Sequence, residues 1–306
     1  MTTLLSGAAD DAAAARRTVV VAIAMMLVAG ITSSFMHIGV RLVSPSLPVM
    51  EIVCLRALVS LLVTLPFMLQ PGTTALRANA PGLLILRGVI GVCSISTWYY
   101  ALAHMPLADA GAISFTTALF VTIGAALYFR EPVGLSRWSA VIAGLIGALI
   151  VMRPGSGVFS WVAVVAVLSS MLWATILLLA KEIGRYDSSL TISFYQPTAV
   201  AAFAVLPAIP VWVWPDFHTW LIVVMMGAFG AVGNYCYIRA LKLADASVVI
   251  PVDYVRLLWM VSWGYWLFAE VPQATTWLGA ALIIGSTLYI TWRESSEAGH
   301  KQSERG

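Results

Sequence analysis

Two ten-residue stretches, FREPVGLSRW at residues 129–138 and FAEVPQATTW at residues 268–277, share their first, third and tenth letters. The stretches lie 139 residues apart, and the same spacing continues on both sides without a gap. The coinciding residues include Gly88 and Gly227, Gly91 and Gly230, Leu119 and Leu258, Glu131 and Glu270, Trp138 and Trp277, and Leu149 and Leu288. The chain therefore contains an internal repeat, which sets the organisation of the fold.

The composition places this repeat in a membrane. Of the 306 residues, 60% are hydrophobic and only 10% are charged, with a mean hydropathy of +0.91. A soluble domain averages about 25% charged residues. A membrane-spanning helix needs about 20 mostly apolar residues. Ten such segments fit the sequence, at approximately 18–42, 49–69, 81–103, 110–129, 138–152, 158–180, 188–211, 218–239, 247–269 and 276–292.

The distribution of basic residues predicts the orientation. With an intracellular N-terminus, twelve of the 17 Lys and Arg residues fall on the cytoplasmic side, and only Arg41 and Arg153 fall outside. Cytoplasmic loops carry the excess of Lys and Arg, so both termini are predicted to be cytoplasmic, at the cell inner membrane. The tails, residues 1–17 and 293–306, are short and polar and are predicted to be disordered.

Other classes of function find no support in the composition. The net charge of +3 is spread along the chain, so a nucleic-acid partner is not expected. The three cysteines lie in apolar stretches without CxxC spacing, which favours neither disulfides nor a metal site. No cofactor is predicted. The expected partners are the lipid bilayer and a small-molecule substrate, and a homodimer is possible.

Each copy of the repeat, residues 18–153 and 158–292, holds five predicted spans. Because five is odd, the second copy enters the membrane from the opposite side. The loops agree, since Glu131 is flanked by Arg130 and Arg137, whereas the matching stretch EVPQAT has no basic residue. Inverted repeats are typical of transporters, whose substrate sites lie near the midplane between the halves.

Two long segments also resemble a known family. They are ALAHMPLADAGAISFTTALFVTIGAALYFREPVG at residues 101–134, continued by RWSAVIAGLIGALIVMRPG, and ALKLADASVVIPVDYVRLLWMVSWGYWLFAEVPQATTWLGAALIIGSTLYITWRE at residues 240–294. They resemble the two repeats of the EamA family in the drug/metabolite transporter superfamily. The resemblance implies an all-α membrane protein of ten transmembrane helices, in two inverted five-helix repeats around a central cavity. It also implies export of small metabolites, with aromatic amino-acid exporters as the nearest functional model.

The stretch PVDYVRLLWM, residues 251–260, carries the main candidate site. Helical spacing puts Asp253 and Arg256 on one stripe with Leu257 and Met260, and directs Tyr254 elsewhere. Charged residues at membrane depth usually face a cavity and mark a pathway. The pair either binds the charged ends of a zwitterion or relays a proton, or it is a structural ion pair. The matched residues of the first repeat, AISFTTALFV, carry no charge.

Two further stripes supply candidates. In the third span Arg87 and Trp98 share a face, although Arg87 can instead extend to the membrane surface and Trp98 can belong to an interfacial belt. In the first span His37 lies on a polar stripe, where a packing role is favoured over a proton carrier. Arg56 of the second span is deep, and we consider Asp253 as its partner.

Two polar candidates lie in the second repeat. Asn234 shares a face with Gly227 and Gly230, a pair for which close helix packing is the favoured role. Trp173, near Ser169 and Ser170, is a possible cavity-lining residue.

The sequence thus predicts a transporter working by alternating access that exports amino acids or related amphipathic and aromatic metabolites. An importer of a vitamin-like aromatic solute is the alternative. A membrane-embedded lipid-modifying enzyme is disfavoured because the four histidines are scattered and no paired-acid motif is present.

Overall fold

The computed structural model describes residues 2–68, 78–128, 130, 135–153, 161–244, 249 and 252–303. Within these ranges the chain is helical and no strand occurs. The helices are α1 (Thr2–Val43), α2 (Val49–Met68), α3 (Pro81–His104), α4 (Leu107–Ser114), α5 (Thr117–Tyr128), α6 (Leu135–Met152), α7 (Trp161–Ile183), α8 (Ser189–Ala208), α9 (Phe217–Leu243), α10 (Val255–Phe268) and α11 (Ala274–Ser303), with a 3-10 turn at Ile209–Val211. Glu131, considered above, and Pro251, the first residue of PVDYVRLLWM, lie outside the described residues.

Seven helical segments of the described chain are long and apolar enough to cross a membrane. They are Arg17–Val43, Val49–Pro66, Pro81–His104, Leu107–Tyr128, Trp161–Ile183, Phe194–Val211 and Phe217–Tyr237. Two shorter apolar helices, Trp138–Met152 and Ala274–Tyr289, lie in the fifth and tenth predicted spans. The prediction of disordered tails is wrong for most of their length, since α1 begins at Thr2 and α11 ends at Ser303. The N-terminal tail is rich in alanine, the strongest helix former.

The fourth predicted span, 110–129, is interrupted at its middle. A turn at Phe115 and Thr116 separates α4 from α5. At this turn the backbone hydrogen bonds span three residues instead of four, as in the bond from Thr116 N–H to the Ile113 carbonyl at 2.9 Å. The Thr116 hydroxyl donates to the same carbonyl at 2.7 Å, and the Ser114 hydroxyl donates to Gly111 at 2.7 Å. Hydroxyls that compete for backbone carbonyls weaken a helix locally, which accounts for a break that hydropathy does not reveal.

The ninth predicted span, 247–269, is interrupted at the matching place. Val252 and Asp253 are helical, Tyr254 is in a turn, and α10 starts at Val255. Phe115 and Tyr254 lie 139 residues apart, and their rings meet edge to face with centroids 4.8 Å apart. The two helix breaks are therefore in direct contact inside the bundle.

Small residues allow the helices to approach closely, as predicted for the glycine pairs. A Cβ atom added to Gly88 of α3 would lie 2.3 Å from the Ala199 Cβ on α8. The matched Gly227 of α9 faces α2, where an added Cβ would lie 2.4 Å from Val59. The α3–α8 and α2–α9 contacts thus use the same repeated glycine position.

The other main helix contacts also match between the two copies of the repeat. Helix α1 packs along α9, and α3 packs along α7. Helix α2 packs on α8, and α6 packs on α11. In the last pair the backbones nearly touch, since a Cβ added to Gly279 would lie 2.6 Å from the Gly147 carbonyl oxygen.

Residues with a left-handed backbone conformation follow two matched helices. Arg130 after α5 has φ 53°, and Ala269 after α10 has φ 54°. These positions are again 139 residues apart. Beyond Ala269 the Glu270 N–H donates to the Gly264 carbonyl at 3.0 Å, which closes the end of α10.

Acidic side chains make hydrogen bonds near the starts of several helices. Asp216 caps α9 by accepting from Thr219 N–H at 3.0 Å, and hydrogen bonds from the side chain and backbone of Thr219 lower the pKa of Asp216. The carboxylate of Asp187 accepts from Asn79 N–H at 2.7 Å and from Ala80 N–H at 3.0 Å, before α3. Glu51 of α2 is fully buried and accepts from Val213 N–H at 2.9 Å, which ties the start of α2 to the segment before α9.

Candidate functional site

The charged pair of PVDYVRLLWM forms an ion pair at the helix break. Arg256 Nη2 lies 3.4 Å from Asp253 Oδ2, and their side chains are 21% and 17% exposed. Leu257 and Met260, on the same stripe, are 4% and 2% exposed. The stripe therefore faces the interior of the bundle, as its helical spacing predicts.

Aromatic rings surround Arg256. Its guanidinium lies over the Phe115 ring, 5.2 Å from the centroid, within the range of a cation–π interaction. Tyr254 meets the same Phe115 ring edge to face, with the ring centroids 4.8 Å apart. A continuous helix would direct Tyr254 away from the stripe, so the turn at Tyr254 gives it a place beside the charged pair that helical spacing does not predict.

His37 and Trp98 contact each other across α1 and α3. Trp98 Nε1–H donates to His37 Nε2 at 3.2 Å, and the two rings are nearly perpendicular with centroids 5.4 Å apart. His37 is 5% exposed, and its Nδ1 atom has no hydrogen-bond partner among the described residues. The two candidates, predicted from separate helices, thus form one unit.

Arg56 lies next to this unit. Its guanidinium is 5.8 Å from the centroid of the Tyr99 ring, and Nη1 is 3.9 Å from Met36 Sδ. A Cβ added to Gly230 would lie 3.3 Å from the same Nη1, so the glycine leaves room for the arginine. The structure does not form the ion pair considered between Arg56 and Asp253, because Asp253 pairs with Arg256 instead.

Three other candidates lie away from this cluster. Arg87 joins α3 to its neighbours, with Nε 3.4 Å from the Ile176 carbonyl and Nη1 3.3 Å from the Ile192 carbonyl. Trp173 is 40% exposed on α7, and Asn234 is exposed on α9. The structure therefore brings together Asp253, Arg256, His37, Trp98 and Arg56, and leaves Arg87, Trp173 and Asn234 elsewhere.

Sequence reasoning did not propose Phe115, Tyr99 or Met36 as parts of the site. The run SFTT, residues 114–117, was the available signal for Phe115, since a cluster of hydroxyl residues in an apolar span favours a local break. Tyr99 and Met36 are apolar neighbours of Trp98 and His37, and no pattern distinguishes them from ordinary packing residues.

A second ionic group closes the end of the bundle where α1, α4 and α10 meet. Glu270 pairs with Arg41 at 2.7 Å and accepts from Leu107 N–H, the first residue of α4, at 2.8 Å. Arg41 also donates to the carbonyls of Leu102 and Met105. These contacts give Glu270 a structural role at the end of α10, where it ties α1, α4 and α10 together.

A groove of about 100 Å³ lies between α1 and α9. Its lining is apolar, with Phe35, Leu42, Met225 and Phe229 among the residues, and several of these side chains are exposed on the helix surface. None of the predicted site residues lines it. The candidate site is thus the charged and aromatic cluster at the helix breaks, and not this groove.

The cluster is suited to binding a planar or partly charged solute. Arginines over aromatic rings, a histidine and a tryptophan combine apolar faces with hydrogen-bond donors, which is typical of sites for small molecules. Together with the apolar helices, these features define a multi-pass membrane protein with a polar site buried among its helices.

Comparison with known proteins identifies the family. The model of the EamA-like transporter family matches residues 18–153 and 160–292. The chain belongs to this family and is a transporter of the drug/metabolite transporter superfamily rather than an enzyme. A crystal structure aligns with a TM-score of 0.59 over 92% of this chain and 97% of its own, at 19% identity, which shows a shared fold.

Curated relatives carry several different substrates in their names. A riboflavin transporter of Vibrio cholerae is 31% identical over 89% of this chain and 93% of its own. A riboflavin transporter of Brucella anthropi is 32% identical over 78% and 86%, respectively. A pseudopaline exporter of Pseudomonas aeruginosa is 29% identical over 88% and 95%. The chain is therefore similar to transporters of chemically distinct metabolites.

Proposed function

We propose that this protein is a secondary transporter that imports riboflavin or a similar planar aromatic solute by alternating access. The observation that carries the proposal is the cluster around Phe115, where Arg256 covers one ring, Tyr254 meets its edge, and the His37–Trp98 unit lies on the neighbouring helices. Planar heteroaromatic rings bind well between aromatic faces and arginines. The names of the riboflavin relatives support this choice over amino-acid export.

The proposal includes the architecture predicted from the repeat. Ten spans in two inverted five-helix repeats, residues 18–153 and 158–292, would place the helix breaks near the membrane midplane. Three features support it: the matched breaks at Phe115 and Tyr254, the matched left-handed residues Arg130 and Ala269, and the matched glycine contacts. Discontinuous helices at the midplane are the usual place for substrate sites in inverted-repeat transporters.

The proposed setting is the cell inner membrane with both termini cytoplasmic. The bias of Lys and Arg supports this orientation. The Arg41–Glu270 group then lies at the outer end of the bundle and the Asp187 group at the cytoplasmic end. The homodimer stays a prediction without further support.

The first test is whether the protein supports growth and riboflavin uptake of a riboflavin-auxotrophic bacterium that lacks its own transporter. Accumulation of radiolabelled riboflavin is then measured in right-side-out and everted vesicles. Accumulation in right-side-out vesicles is expected. Arg256→Ala should reduce the initial rate roughly tenfold or more, because a desolvated cation–π contact is worth about 2 kcal/mol. Arg185→Ala, whose side chain is 60% exposed, is the matched control and should leave the rate unchanged. Growth and uptake equal to the empty vector would refute the proposal.

A second candidate is export of an amino-acid-like metabolite. The Asp253–Arg256 pair favours it, since an acid and a base 3.4 Å apart can exchange partners with the ammonium and carboxylate of a zwitterion. The similarity to a pseudopaline exporter also supports it. Substrate accumulation in everted vesicles, with no riboflavin uptake, would favour this candidate.

A further inference from the structure

The hydrogen bond between Trp98 and His37 fixes the tautomer of the histidine. An indole N–H can only donate, so His37 Nε2 must accept the bond at 3.2 Å. A ring nitrogen that accepts carries no proton, and the proton of the neutral ring must be on Nδ1. His37 therefore presents an Nδ1–H donor, which is buried and has no acceptor among the described residues.

Two further donors of the same cluster have no hydrogen-bond partners. The Nε atoms of Arg56 and Arg256 are buried and make no hydrogen bond within the described chain. Arg56 contacts Met36 and Tyr99, which are the chain neighbours of His37 and Trp98. Arg256 Cβ lies 3.6 Å from where a Cβ on Gly30 would be, and Gly30 is two helical turns before His37 on the same face of α1.

Few acceptors balance these donors. The carboxylate of Asp253 is already paired with Arg256, and Arg56 Nη1 lies 3.9 Å from the weak acceptor Met36 Sδ. A buried donor without an acceptor costs about 1–3 kcal/mol. A ligand that supplies acceptors to several of these donors would therefore bind there strongly.

We propose that His37, Arg56 and Arg256 form a donor array that recognises the acceptor-rich edge of the substrate, with His37 Nδ1–H donating to a ring carbonyl or ring nitrogen. The matching chemistry is a heteroaromatic ring system with two carbonyls beside ring nitrogens, as in the dioxopyrimidine edge of a flavin. Trp98 is a positioning residue, which acts by holding the tautomer of His37. This inference rests on the proposed function and specifies which part of the solute the site reads.

Three substitutions of His37 separate substrate binding from packing against Trp98. Asparagine places its amide nitrogen near the position of Nδ1, whereas glutamine extends to the position of Nε2. His37→Asn should keep riboflavin affinity within about threefold, and His37→Gln and His37→Phe should each lose roughly tenfold, the effect of one hydrogen bond. If His37 only serves as the partner of Trp98, glutamine and not asparagine would preserve binding, and the proposal would be overturned.

Binding is measured on the purified full chain in detergent by quenching of flavin fluorescence, with the melting temperature of each variant as the check on folding. Absence of riboflavin binding to the wild type would refute the proposed function itself. The tautomer is tested separately by ¹⁵N NMR of histidine-labelled wild type, with His37→Phe to assign the signal. A proton on Nε2, or a doubly protonated ring, would overturn the donor array whether or not riboflavin binds.

Discussion

The ion pair between Arg41 and Glu270 offers a quantitative test of the fold. Glu270 makes two contacts, a 2.7 Å pair with Arg41 and a 2.8 Å hydrogen bond from Leu107 N–H. Removing one partner of a buried pair costs about 3–5 kcal/mol. Arg41 keeps two backbone carbonyls and lies 5.3 Å from the centroid of the Phe268 ring, so the lower value applies. Glu270→Ala should lower the free energy of unfolding by about 3 kcal/mol.

The variant Glu270→Gln separates the contribution of the hydrogen bond from Leu107 N–H from that of the ion pair with Arg41. The amide keeps an oxygen that can accept from Leu107 N–H but loses the charge that pairs with Arg41. We expect a loss of about 1.5 kcal/mol, near the value of one charge-assisted hydrogen bond. The double variant Arg41→Ala with Glu270→Ala should recover at least about 1 kcal/mol relative to the sum of the single changes.

The assay is reversible unfolding in mixed detergent micelles, followed by circular dichroism. The matched control is Glu182→Ala, because Glu182 pairs with Arg185 at 3.2 Å but the Arg185 side chain is 60% exposed, against 21% for Arg41. Exposed pairs contribute less than about 1 kcal/mol. Equal losses for Glu270→Ala and Glu182→Ala would refute the argument that burial makes the Arg41 pair the stronger one.

Four further outcomes are expected. Asp253→Asn should abolish concentrative transport while leaving downhill exchange, if Asp253 carries the coupling proton, and full concentrative transport by this variant would contradict that role. Ala269→Gly should raise stability by about 0.5–1 kcal/mol in thermal unfolding, because glycine accepts the left-handed backbone without strain. Gly279→Leu should prevent the α6–α11 contact and lower the folded yield on size-exclusion chromatography, whereas Gly82→Leu, which has open space around its Cα, should not. The lowered pKa of Asp216 stabilises the folded state above about pH 4 and the effect is lost as the pH falls, so acid unfolding of Asp216→Asn should depend less on pH in this range.

Much of the helical framework could be predicted from hydropathy. The ends of α2, α3, α7 and α9 lie within a few residues of the predicted spans, because long apolar runs bounded by Pro and polar residues leave few alternatives. The close packing at Gly88 and Gly227 also followed from the repeat. The break at Phe115 could not be predicted in the same way, since it depends on hydroxyl-to-carbonyl bonds that do not change the hydropathy.

The candidate site was predictable in its charges but not in its contacts. Asp253 and Arg256 were identified because charge is rare at membrane depth. Whether Arg56 pairs with Asp253 depends on the relative rotation of α2 and the segment before α10, which a single sequence does not specify. The bond between Trp98 and His37 likewise depends on how α3 crosses α1. Such geometry arises from packing between helices that are distant in sequence.

The contact between Phe115 and Tyr254 has a consequence for how a solute is oriented. At the spacing of 139 residues, Ser114 corresponds to Asp253 and Thr117 to Arg256, so matched positions of the two repeats meet where the rings touch. Under the inverted-repeat architecture proposed above, an uncharged version of this site would offer a bound flat solute two nearly equivalent poses, related by a half-turn. The charges on one side alone remove this degeneracy. A solute that is polar at one edge and apolar at the other would therefore bind in a single orientation.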